Sequence, residues 1–465
     1  MEGDLSEILA NYVVSTNFAA LPLAAKEKAR QSTLDTIGVI MAASALEPSV
    51  NGLVDLVLEA GGRTESTVLG TGQKVPAIMA AFANGGLAHS LDFDDHAPEG
   101  HHPSSSAIPV SLALAERLGD VTGEKFLTAV AIGQDIFMRL RRNVVWKHDW
   151  HLTTIIGVFS ATASAAYLLG LNRDQIASAF GIAGVQSAGT YELVQGVNNE
   201  VRGMYAAFIS KAAIVAALMA QKNIKGPRSI FDGKNGFFNV YFDGKYDRKS
   251  MLNGLGQDFQ GAALLYKPWP SCGLSHTYIH AARRLMAEND LVVEQIEAIR
   301  IFAGAGQIEL CEPLESRCKP KTSSDAKFSI PFCVAITLMN GTVKPTDFLP
   351  EALKDPKILA VAAKTVIVFD SNSNWDGHLP DGRIEVILKN GQSFSCVGSD
   401  VPGNENVPMS WDELIEKYKD CVRASKVRLS DDTIDKTARL FRELERVGNM
   451  TEITDLLAGG RTAAG

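Results

Sequence analysis

Cysteine is scarce and carries no pattern: there are six in 465 residues, all between Cys272 and Cys421, with no Cys-x-x-Cys spacing. That fits reduced thiols rather than a disulfide framework. Long apolar runs are also missing. Residues 155–171 (IIGVFSATASAAYLLGL) are short and interrupted by Ser, Thr and Gly, so they read as a buried helix and not as a membrane span. The N-terminal MEGDLSEILANYVV lacks a positive leader ahead of an apolar core, which makes the cytoplasm the expected compartment. Positive charge is not in excess, since 45 Lys+Arg against 53 Asp+Glu give a net charge of −8. Nucleic acid is therefore not an expected partner, and an anionic substrate must meet a locally basic pocket. The 40 glycines and 18 prolines are dispersed, which excludes collagen-like and low-complexity chains. No internal repeat is present.

What remains is a soluble globular composition, 46% hydrophobic and 21% charged, with two kinds of periodicity. Leu5, Ile8, Leu9, Tyr12 and Val13 follow helical spacing behind Asp4 and Glu7, which resemble a capping box. Residues 107–118, 126–140, 153–169 and 211–220 are apolar on most faces, as in helices wrapped by other helices. The period then shortens. Residues 296–303 and 365–369 read as strands, and RIEVILK and QSFSCVG flank Asn390-Gly391, a hairpin signal. Ser410 with Glu413 marks a capping box that returns the chain to helical spacing over 411–421 and 433–445, and the terminal GGRTAAG is expected to fray. The fold class expected is mainly α. A helical domain over 1–267 is followed by a smaller α+β lid over 268–404, with a return to the helical domain over 405–465.

Three segments carry candidate chemistry. HSLDFDDHAPEGHHPS gathers four of the nine histidines (His89, His96, His101, His102) with Asp92, Asp94 and Asp95 on a Pro- and Gly-punctuated loop. Its competing reading is a hydrated turn. The spacings match no closed ligand set, so no metal is expected. Lys147-His148-Asp149-Trp150-His151 precedes a helix start, where a histidine serves as a base or merely packs. Tyr266-Lys267-Pro268-Trp269-Pro270-Ser271-Cys272-Gly273, followed by His276, is stiffened by prolines that aim Lys267 into a cleft or leave it on a surface linker.

The cluster LDFDDHAPEGHHPS, LDTIGV at Asp35, HLTT at His151, LGL before Arg173, KPWPSCGLSH at Lys267 and AKFSIPF at Lys327 occur in the order of the MmgE/PrpD family. The resemblance spans nearly the whole chain. That family includes 2-methylcitrate dehydratase, cis-aconitate decarboxylase and iminodisuccinate epimerase. The resemblance implies a large all-helical domain with an α+β lid, a cleft between them, a homodimer and no cofactor. Carried over by position, Asp92, His102, His151 and Lys267 keep the family's residue types. His96 stands where the decarboxylase branch has threonine, Arg202 replaces a lysine, Tyr205 a histidine, and the lid tyrosine falls on Phe332.

A phenylalanine there cannot donate a proton, and Arg202 grips a carboxylate through paired hydrogen bonds. These departures favour a cofactor-independent epimerase acting on an imino- or amino-polycarboxylate such as iminodisuccinate. In that reading Asp92, His96, His102, His151 and Lys267 are catalytic and His101, Arg202 and Tyr205 bind substrate. Which of His101 and His102 faces the substrate, and whether one base or two act, stay open. The alternative is a dehydratase or decarboxylase of a tricarboxylate. Readings from other classes are a metal-dependent hydrolase built on the histidines and a helical scaffold that has lost catalysis.

Overall fold

The computed structural model describes residues 3–196, 198–374 and 379–459. Apart from Gly459, the terminal GGRTAAG lies outside them. Buried side chains form two separate clusters. One draws on residues 5–266 and again on 414–457, and the other on 269–401. The molecule is thus mainly α, with a helical body and a smaller α+β lid.

The body is built on helices that bury most of their circumference. In Leu23–Leu46 every residue from Gln31 to Ser44 is buried, and Leu152–Leu168 and Tyr205–Gln221 are similarly enclosed. Alanine and glycine let these helices approach closely. A Cβ on Gly38 would lie 3.1 Å from the Tyr418 ring of helix Trp411–Arg423, so the returning C-terminal helix lies directly against Leu23–Leu46. Among the described residues no single helix is long and apolar enough to cross a membrane.

One feature departs from an all-helical body. Strands β1 (Ser66–Val68) and β2 (Gln73–Val75) form a two-stranded antiparallel ribbon, each too short to leave a period in the sequence. A second departure lies at the N-terminus. Asp4 caps its helix through the Ser6 N–H, but Glu7 turns away to pair with Arg173 and Arg228, so no capping box forms. The box at Ser410 and Glu413 is present.

In the lid, β3 (Ile296–Ala303) runs parallel to β4 (Thr365–Phe369) and antiparallel to β5 (Gly382–Leu388), which pairs with β6 (Ser393–Gly398) in the order β4-β3-β5-β6. The Asn390-Gly391 turn joins β5 to β6, with Gly391 at φ 84°. Helix Gly273–Glu288 packs on this sheet. Between body and lid, the buried Lys327 ammonium pairs with Glu47 and donates to the Ser90 carbonyl at 2.8 Å.

Candidate active site

Helix Ala77–Ser90 ends one residue before an irregular loop that leads into helix Ser104–Leu118. Asp92 and His101 adopt positive φ values of 48° and 77°, which folds the loop back on itself. His96 and Leu265 exchange backbone hydrogen bonds of 2.9 Å, and this bridge lays the loop beside Tyr266 and Lys267. The Lys267 ammonium ion-pairs with the Asp92 carboxylate and also donates to the Asp92 carbonyl at 3.1 Å. The pair lies at the floor of a cleft of about 1340 Å³ between body and lid.

Beneath the floor, Asp94 is fully buried and lies between two imidazoles, 3.0 Å from His89 Nδ1 and 3.1 Å from His102 Nδ1. His102 Nδ1 also meets the Asp95 carbonyl at 2.7 Å. With acceptors alone around it, that nitrogen carries the proton, and the unprotonated Nε2 is left 3.9 Å from the Asp92 carboxylate. His101 has the opposite tautomer. Its Nδ1 accepts from Arg141 Nε at 3.0 Å, so its Nε2 bears the hydrogen. Both histidines line the cleft, as do His96, His148 and His276.

The cations around the cleft differ in how far they are committed. Arg317 spends its guanidinium on the carbonyls of Glu309, Glu312 and Phe328. Arg141 holds His101 and the Glu99 carbonyl. Arg202 is 4% exposed, lies 3.5 Å over the Phe328 ring, and has no partner for its Nε among the described residues. A buried guanidinium without an acceptor is costly unless an anion completes it.

Burial sets the proton affinities. It pushes His96, His151 and His276 down to about 3, with the neighbouring Lys267 adding to the effect on His96 and His276. His101 falls well below the usual range through burial and then Arg141, and His102 falls because burial outweighs Asp94. These imidazoles are therefore neutral at pH 7. Burial would raise Asp92, but Lys267, His89 and His102 together hold it at about 2. Arg202 is lowered to about 10, mainly by burial, and stays charged. Burial, with Asp92 nearby, lifts the Cys272 thiol to about 11, which makes it a poor nucleophile. Donor atoms of His89, Asp94 and His102 lie within 4.8 Å of one another, but their close contacts are hydrogen bonds in which the imidazole protons face the carboxylate, an arrangement suited to orienting rings.

The cleft wall thus brings together Asp92, His96, His101, His102, Arg202 and Lys267. His151 and Tyr205 do not reach it. They lie one layer behind, with their ring centres 4.4 Å apart and the Tyr205 ring tilted against that of His89 at 4.5 Å. Phe332 requires a correction. It is fully buried in the lid core, because helix Ile330–Asn340 turns it inward, and the aromatic side chain that this segment offers to the cleft is Phe328. Phe332 therefore has no bearing on which groups donate protons at the cleft. Sequence reasoning missed Arg141, Trp146 and Tyr191, which also line the cleft. Arg141 sits in an LRR run whose next member, Arg142, pairs with Glu99, and nothing in the run distinguishes the two.

Known proteins match this chain along its length. The MmgE/PrpD N-terminal domain matches residues 7–249 and the MmgE/PrpD C-terminal domain matches residues 269–439. The cis-aconitate decarboxylase-like protein oryM of Aspergillus oryzae is 24% identical, with 98% of each chain covered. Human cis-aconitate decarboxylase is 25% identical over 83% of this chain and 80% of its own. The 2-methylcitrate dehydratase of Salmonella typhimurium is 26% identical over 90% and 88%. With both domains matched in order around this cleft, the chain belongs to the MmgE/PrpD family.

Proposed function

We propose that this chain is a lyase that acts on a small tricarboxylate, removing water or carbon dioxide by moving one proton at a carbon next to a carboxylate. The observation that carries the reading is the buried Arg202, whose Nε has no partner among the described residues, in a cleft whose neighbouring histidines, His101 and His102, have opposite tautomers. Relatives named as cis-aconitate decarboxylases and 2-methylcitrate dehydratases support the substrate class.

In this mechanism Arg202 holds one substrate carboxylate through paired hydrogen bonds. In a dehydration His102 Nε2 takes the proton from the adjacent carbon, and in either reaction the Lys267 ammonium, held by Asp92, steadies the charge that develops on the remaining carboxylate. In a dehydration the electron pair forms the C=C bond as the C–O bond breaks, and the His101 Nε2–H protonates the departing hydroxyl. In a decarboxylation the C–C bond to the leaving carboxylate breaks, and the carbon left with the electron pair receives a proton from an imidazole. Arrival of an anionic substrate raises the affinity of these imidazoles for protons, bringing them towards the range useful at neutral pH. Asp94 orients His102 from below, and His151 and Tyr205 support the wall behind.

A second reading, epimerisation of an imino- or amino-polycarboxylate such as iminodisuccinate, is favoured by the number of neutral imidazoles. His96, His101, His102 and His276 all line the cleft, more than a one-way elimination requires. NMR of the enzyme in D₂O with citrate, 2-methylcitrate, cis-aconitate and amino-dicarboxylates separates the two. The lyase gives an alkene or carbon dioxide, and the epimerase gives deuterium at an α-carbon with inversion. Absence of both from every substrate rejects carbon-acid chemistry at this site. The expected homodimer is likewise a proposal, tested by light scattering.

A further inference from the structure

The helix Trp411–Arg423 returns from the lid to the body and sends one side chain under the cleft floor. The Lys417 side chain is 7% exposed, and its ammonium lies 2.7 Å from Asp35 Oδ1 on the buried helix Leu23–Leu46. It donates to the Phe93 carbonyl at 2.7 Å and to the Lys267 carbonyl at 2.9 Å, and it lies 3.8 Å from the centre of the Phe93 ring. An ammonium has three hydrogens, and three oxygens from three distant parts of the chain surround this one.

Two of these acceptors are the carbonyl next to Asp92 and the carbonyl of Lys267 itself. Both lie on irregular backbone, Asp92 at positive φ and Lys267 just before a proline, where no helix or sheet ladder fixes the main chain. Buried carbonyls need donors, and here one donor group serves both. We propose that Lys417 is a positioning residue that sets the spacing of the two backbone segments so that the Asp92 carboxylate and the Lys267 ammonium meet at the cleft floor. Its Asp35 partner supplies the countercharge and fixes the ammonium to the central helix. Arginine cannot substitute, because a planar fork does not match three acceptors converging on one nitrogen.

The catalytic part of this inference rests on the proposed proton-transfer function, while the anchoring part does not. The experiment compares wild type with Lys417→Met and with the double variant Lys417→Met/Asp35→Asn, which also removes the buried carboxylate that would otherwise lose its partner and prevent folding. Amide hydrogen exchange by mass spectrometry is expected to rise about tenfold in peptides covering residues 91–97 and 264–268, with little change in helix Leu152–Leu168. Calorimetric binding of the unreactive propane-1,2,3-tricarboxylate is expected to stay within about threefold, because Arg202 is untouched, while kcat falls about 100-fold with KM nearly constant. Unchanged exchange in both peptides, or a loss that appears in KM and ligand binding rather than kcat, overturns the inference. Should the wild type transform no carboxylate, the functional reading fails by itself and the exchange result still decides whether Lys417 is the anchor.

Discussion

Arg202 and Lys267 are both buried cations at the cleft, yet Lys267 is paired with Asp92 while the Arg202 Nε has no partner among the described residues, and substitution should separate them. Arg202→Lys keeps the charge but loses the fork, so KM for a tricarboxylate should rise roughly tenfold or more while kcat changes by less. Steady-state kinetics checks this, and an unchanged KM removes Arg202 from substrate binding. Lys267→Ala should abolish turnover in a protein that still melts cooperatively, and near-normal turnover would exclude Lys267 from the reaction. Asp95 offers a test that does not depend on activity. Its fully buried carboxyl accepts from the Ser32 and Ser104 hydroxyls, and burial, reinforced by Asp35 and Asp94, pushes it up to about 7. An acid raised in the folded state keeps a proton that the unfolded chain releases. Its contribution to stability therefore declines as pH rises from about 4, the ordinary aspartate value, to 7, and is flat above. Asp95→Asn fixes the neutral form, so its melting temperature should gain on the wild type's across that interval, and a constant difference from pH 4 to 8 would contradict the assignment.

Among the elements, the lid sheet sits so close to helix Gly273–Glu288 that β6 meets it through a glycine. A Cβ on Gly398 would come within 1.8 Å of the Thr277 carbonyl oxygen. Gly398→Ala should therefore cost about 1–3 kcal/mol, read as a lower melting temperature, because backbone must move to admit the methyl. The strands themselves were legible in the sequence: β3, β4 and the β5–β6 hairpin follow alternation and a turn signal that depend on near neighbours only. Asp92, His102 and Lys267, which the sequence carries in ordered motifs, are found together at the cleft wall. What was not legible depended on partners far along the chain. Glu7 leaves its cap for arginines 166 and 221 positions away, and the break between helices Ser323–Lys327 and Ile330–Asn340 puts Phe328 at the cleft while Phe332 is buried in the lid core. The tautomers of His101 and His102 follow from Arg141 and Asp95 contacts that no local spacing encodes.

At the scale of the whole molecule, the cleft is larger than its proposed substrate requires. Sites of about 300–1,000 Å³ hold drug-sized ligands, and this one measures about 1340 Å³. Body and lid should approach one another when a tricarboxylate binds, excluding water from Arg202 and Lys267. Small-angle scattering should record a smaller radius of gyration with saturating propane-1,2,3-tricarboxylate, and superimposable curves would rule out closure.

The chain's return to the body after visiting the lid also bears on how the protein is made. Ribosomes release the body's helices first, with Asp35 already in the middle of Leu23–Leu46, but the ammonium that neutralises it is encoded nearly 400 codons later. A nascent chain that stops short of Trp411 holds an acid with no counter-ion where the finished protein has an ion pair, and keeping it buried would cost several kcal/mol, on the order of 3–5. The body must then wait, loosely packed, until the lid has emerged and the final helices dock. Stalled or truncated products should be marked for proteolysis before they can present a half-built cleft to metabolites.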